Sequence, residues 1–130
     1  MTGARQLYEE VLEARRRVRG SEQPETLNSM HNLAVALLVQ ELVPQARELE
    51  EAVLKVRRPL LGAKHSDTSV SAWTLFCTLY DLCEHDAAQT ILDSDLLWLL
   101  DCDLVSLNAD QRQIQGYIRD LEGYRLTLPT

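Results

Sequence analysis

Glycine and proline are scarce in this chain, five and four residues in 130. The residues that replace them, chiefly Leu, Ala, Glu, Arg and Gln, lose little rotamer freedom in a helix, so the composition favours an all-α fold over a sheet. Cationic charge is also short: 13 Lys and Arg against 20 Asp and Glu leave a net charge of −7, which disfavours a general nucleic-acid surface. Cysteine numbers only three (Cys77, Cys83, Cys102), an odd set without close pairing. That fits small buried hydrophobes in a reducing compartment better than a disulfide framework. No stretch reaches the roughly 18 apolar residues of a membrane span; even ILDSDLLWLL is split by Asp93 and Asp95. The first twenty residues lack the apolar segment of a signal peptide, so the expected location is the cytoplasm. What is present is the balance of a folded protein, 45% hydrophobic and 25% charged, at a length that suits one domain.

The stretch GSEQPETLNSMHNLA at Gly20 is echoed by GAKHSDTSVSAWTLF at Gly62, an offset of 42. At the same offset Ala4 matches Ala46 and Ala88, Leu7 matches Leu49, Val11-Leu12 matches Val53-Leu54, and Arg15-Arg16 matches Arg57-Arg58. Thr26 and Thr68, Ser29 and Ser71, Leu33 and Leu75, and Leu37 and Leu79 continue the register without a gap. Such a period marks a stacked repeat, and it changes how every later residue is read.

Within each unit the apolar spacing is helical, as in Leu27, Met30, Leu33, Ala34 and Leu37, or Ala46, Leu49, Val53 and Leu54. Two helices, A and B, therefore make one repeat. Pro24 and Thr26 stand where a helix should start, Asp67 and Thr68 stand in the equivalent place, and Gly20 and Gly62 are natural stops. The expected elements are an unpaired B helix at 4–19, repeat 1 at 25–58 (A1 25–41, B1 44–58), repeat 2 at 67–101 (A2 67–83, B2 86–101) and a final helix at 109–125. The last continues the period through Ile114, Tyr117, Ile118 and Leu121. Its polar side, with Gln111, Gln113, Arg119, Asp120 and Glu122, suits a solubilising cap. The front has no A helix before its B helix, which suggests a piece of a longer array, a truncated homologue, or a face covered by another copy.

The segment from Pro24 to Thr68 resembles the tetratricopeptide repeats of the kinesin light chain type, whose units have about this length. The matching positions are Leu61-Gly62, His65-Ser66-Asp67-Thr68 and His31-Asn32-Leu33-Ala34. The resemblance covers residues 4–102, with the last helix as a degenerate cap. It implies an α-solenoid of antiparallel helix pairs, about six helices in a single domain, that acts in protein–protein interaction. The usual Gly-Tyr turn is replaced by Glu41-Leu42-Val43 and by Glu84-His85, which leaves open a tighter or differently angled turn. The aromatic late in helix B survives only as Tyr8, with Glu50 and Leu92 at the equivalent positions. Similar arrays sit at the tails of multidomain signalling proteins as sensors or scaffolds.

In that family the A helices line the concave side, a groove suited to an extended peptide or a partner helix. With Leu33, Ala34 and Leu37 in the core, the helical period turns Asn28, His31, Asn32, Val35 and Leu38 toward the groove, and in the second unit Val70, Trp73, Thr74, Cys77 and Tyr80. Trp73 and Tyr80 lie two turns apart on one face and suit interface anchors, although Trp73 equally suits packing inside against a neighbouring helix. Asn28 and Asn32 suit paired amide bonds to a peptide backbone, or local capping and solvation. The expected mechanism is desolvation of Trp73, Val35, Leu38 and Tyr80 against apolar partner side chains, with Asn28, Asn32 and His31 fixing register.

Other constellations carry less. Arg15-Arg16-Arg17-Val18-Arg19 and Arg57-Arg58 invite a nucleic-acid reading, but both end B helices, where the macrodipole favours cations and a solvated role suffices. His31, His65 and His85 lack metal-ligand spacing. Asp93, Asp95, Asp101 and Asp103 show no calcium-loop pattern and are expected to face solvent. There is no phosphate loop, nucleophile elbow or metalloprotease pair, so no enzyme activity and no cofactor or metal are expected. The partner is expected to be a protein or peptide, not nucleic acid or membrane. The alternative is a self-associating scaffold fragment, joined as a homo-oligomer through Leu7, Val11, Leu12 and Val18 of the uncapped front helix.

Overall fold

The computed structural model describes residues 24–127, together with positions 10 and 13. Five α-helices follow in order: α1 (Pro24–Val39), α2 (Val43–Leu61), α3 (Ser66–Asp81), α4 (His85–Ile91) and α5 (Ala109–Thr127). No strand occurs among the described residues, each of the first three helices packs on the next, and α5 packs on α3, which gives an all-helical repeat solenoid. The expected front helix at 4–19, with its Arg run and apolar face, lies outside the described residues.

Two apolar clusters share α2 as a wall. Leu27, Met30, Ala34 and Leu37 of α1 close on Ala46, Leu49 and Val53 of α2. Leu54, one residue on, belongs to the second cluster with Leu75, Leu79, Leu92, Ile114 and Ile118. Adjacent positions on one helix thus serve successive hairpins, as stacking requires. Gln111 Nε2 donates to Ser69 Oγ at 3.3 Å, which ties α5 to α3.

The replaced turns keep one backbone shape. Glu41 has φ 63° and Cys83, one period later, φ 59°. After each, the chain closes a six-residue loop, Leu42 N to Leu37 O and Glu84 N to Leu79 O, both at 2.9 Å. This is the helix-ending geometry in which a left-handed residue is normally glycine, here occupied by Glu and Cys. Gly62 ends α2 with φ 95°, a conformation that disfavours any side chain. His65 rather than Asp67 or Thr68 caps α3, its Nδ1 accepting from Asp67 N at 3.0 Å.

The second B segment is not one regular helix. After α4 the chain widens into a π turn at Leu92–Leu96, tightens into a 3-10 turn at Leu97–Asp101, and makes another at Leu104–Ser106. The widened turn coincides with Asp95, which is buried rather than solvent-facing. Its Oδ1 accepts from Arg58 Nε at 2.9 Å, its Oδ2 pairs with Arg58 Nη2, and its carbonyl accepts from Trp98 Nε1 at 2.8 Å. A one-turn π insertion is a usual way of re-aiming one side chain without ending a helix.

Two further expectations are corrected by buried polar contacts. Arg57 is 2% exposed, not solvated: its guanidinium donates to Ser71 Oγ at 2.6 Å, to the Asp67 carbonyl at 3.2 Å and to Asn28 Oδ1 at 2.8 Å. One side chain of α2 thereby ties α1 to α3. Gln111 is buried rather than part of the polar cap face, and reaches the Lys64 carbonyl at 3.0 Å. Gln115 is buried too and donates to the carbonyls of Leu99 and Cys102 at 2.7 and 3.0 Å, satisfying chain ends where the 3-10 turn stops.

Candidate functional site: an aromatic groove between α3 and α5

Helix α3 places Thr68, Ser71, Ala72, Leu75 and Leu79 inside and leaves a stripe of half-buried and exposed residues, Val70, Trp73, Thr74, Cys77 and Tyr80. Helix α5 packs beside α3. Between them lies a groove of about 720 Å³, lined by Trp73, Phe76, Cys77, Tyr80, Asp81, Tyr117, Asp120 and Leu121. That volume falls within the range of ordinary ligand clefts.

Its aromatic content is out of proportion to the chain. The sequence holds two Trp, four Tyr and one Phe, and four of these line the groove. Trp73 stacks on Phe76 at 5.3 Å and on Tyr117 at 5.5 Å between ring centres, so the indole bridges the two helices. Phe76 leans on Tyr80 at 6.1 Å, and the edge contact of Tyr80 with His85 at 4.7 Å fixes its outer side. Tyr80 and Tyr117 remain 52% and 43% exposed, an uncommon state for rings already in contact with an apolar wall.

Of the ten positions expected from the sequence, the groove brings together Trp73, Cys77 and Tyr80. Val70 packs half-buried against the second cluster. Thr74 Oγ1 donates to the Val70 carbonyl of its own helix at 2.9 Å. The five α1 positions are separate from the groove lining. Asn28 and Asn32 are exposed, but Asn28 is engaged by Arg57. His31 turns to α2, its Nδ1 2.9 Å from Glu50 Oε1. Val35 is exposed, and Leu38 is half-buried against the first cluster. Phe76, Tyr117, Asp81, Asp120 and Leu121 were missed. Tyr117 follows Leu33 and Leu75 in the period, and an aromatic in place of leucine was the available signal.

Glu50 is fully buried. Burial pushes its carboxyl above the ordinary range, opposed by the adjacent His31 imidazole and by Arg57. Burial lowers the Arg57 guanidinium, and Asp67 and Glu50 oppose this. The two hairpins thus meet at a buried polar seam behind the groove. In the groove itself burial, and secondarily the Asp81 carboxylate, push the Cys77 thiol up to about 11. It stays protonated at neutral pH and acts there as an apolar surface.

Residues 1–58 match the family model described as tetratricopeptide repeat. This match supports a tetratricopeptide-repeat reading and ends before α3, so the groove lies beyond it. Searches of curated proteins and of solved structures returned no match. No described helix is long and apolar enough to cross a membrane, and no cluster of metal-ligating side chains occurs among the described residues.

Proposed function

We propose that this chain is a non-enzymatic protein-interaction module that takes a peptide or helix of a partner in the groove between α3 and α5. The observation that carries the reading is the stack of Trp73 on Tyr117 across two helices, with Tyr80 and Tyr117 left open beside it. Rigid aromatic surface supplies contact area at small entropic cost, and it is where binding energy concentrates at interfaces. The family match to protein-binding repeats points the same way. The groove's thiol is protonated, so the site offers desolvation rather than a nucleophile.

The test is calorimetric titration of candidate partner peptides against wild type, Trp73→Ala and Tyr80→Ala. Trp73→Ala is expected to weaken binding by about 30-fold, the equivalent of ~2 kcal/mol. Tyr80 is half exposed and its removal leaves the core intact, so it separates lost contact from lost folding. Unchanged affinity in both variants refutes the groove as the site.

A further inference from the structure

The two charged residues among the described lining of the groove are both carboxylates: Asp81 at the end of α3 and Asp120 on α5. Neither has an ion-pair or hydrogen-bond partner among the described residues. Some carboxylates outside the groove are paired: Glu51 and Glu84 lie 2.9 and 2.6 Å from Arg47, and Asp95 is held by Arg58. The negative field reaches the groove wall, because Asp81 helps to raise the Cys77 thiol. Trp73 and Tyr117 line the same groove, and aromatic rings attract cations. An acidic ligand would bring like charge against Asp81 and Asp120 with no cation among the described lining residues to receive it.

We propose that the groove selects a basic, apolar-anchored segment of a partner protein: an Arg or Lys between Asp81 and Asp120, with a neighbouring apolar side chain laid against Trp73 and Tyr117. This rests on the groove being the docking site. Complementarity of this kind contributes selectivity and association rate more than raw affinity, so the signature is preference among ligands of equal apolar content.

The experiment is fluorescence anisotropy with three fluorescein-labelled peptides that share a repeating leucine and alanine frame and differ only in carrying arginine, glutamine or glutamate. The expected result is that the arginine peptide binds about ten-fold more tightly than the glutamine peptide and the glutamate peptide binds more weakly than either. The preference should fall as salt is added and disappear in Asp81→Asn/Asp120→Asn. It should persist in Asp86→Asn/Asp103→Asn, which removes the same negative charge at exposed positions outside the groove. If all three peptides bind alike, or the preference survives Asp81→Asn/Asp120→Asn, the cationic assignment is overturned. In that case weakening by Tyr80→Ala still shows that the groove is the site. If no peptide binds, or binding is indifferent to both Tyr80→Ala and Trp73→Ala, the docking reading falls and the assignment with it.

Discussion

Replacing Arg57 by alanine should destabilise the fold far more than its place in a late helical turn suggests. The guanidinium makes three hydrogen bonds, to Asn28 on α1 and to the Asp67 carbonyl and Ser71 at the start of α3. Asn28 is exposed and regains water when the bond is lost. Ser71 is fully buried and does not. A charged hydrogen bond contributes about 1.5–3 kcal/mol, so the two inner bonds amount to roughly 3–6 kcal/mol. Relief of guanidinium burial returns part of this, while Glu50 loses a favourable neighbouring charge. The expected net loss is about 3 kcal/mol, a large share of the ~5–15 kcal/mol that holds a domain folded. Urea unfolding followed by far-UV circular dichroism reads it directly, with the exposed Lys55→Ala as control, expected within ~0.5 kcal/mol of wild type. A double-mutant cycle with Ser71→Ala should return a coupling of at least ~1 kcal/mol. An Arg57→Ala protein as stable as the Lys55 control would refute the bridging role.

Three further outcomes follow from the same geometry. Cys83→Gly, at φ 59°, should gain about 1 kcal/mol in urea unfolding because a left-handed residue with a Cβ is strained, while Cys83→Ala should gain nothing; equal effects would show that the turn is unstrained. Burial raises the Glu50 carboxyl above its ordinary value near 4.5, so the folded form binds the extra proton. The contribution of this group is full below that ordinary value and falls as pH rises through the folded value. Glu50→Gln should flatten this decline in a pH series of urea midpoints, in which the imidazole of His31 and the guanidinium of Arg57 are the groups facing it; parallel curves for the two proteins would exclude Glu50 as its source. Iodoacetamide at neutral pH should modify exposed Cys83 at least ~10-fold faster than Cys77, whose thiol is pushed up to about 11. Equal rates by mass spectrometry would contradict that shift.

The helical class was legible because it depends on spacing along one chain. Leu27, Met30, Ala34 and Leu37 reveal a helix face wherever its neighbours lie, and a 42-residue offset can be seen without knowing what touches what. The buried polar seam was not legible, because it depends on contacts between elements. Arg57 reads as a cation favoured by a helix end, and nothing local indicates that Ser71 and Asn28 surround it. Asp95 reads as solvent-facing for the same reason, since only a widened turn brings it to Arg58. The groove was half visible. Trp73, Cys77 and Tyr80 follow from the α3 face alone, whereas Tyr117 and Asp120 join them only when α5 settles beside α3. The period carried Tyr117 into the core as the counterpart of Leu33 and Leu75, but it is 43% exposed. It stacks on Trp73 instead.

Chemical-shift mapping of the labelled protein while the arginine peptide is added tests the central claim most directly. The account predicts that the largest changes fall on the Trp73 indole, the Cys77 and Tyr80 amides and the Tyr117 ring, with Asn28, Asn32 and Val35 of α1 little moved. Changes concentrated on α1 or on the exposed side of α2, with Trp73 and Tyr117 unmoved, would contradict it.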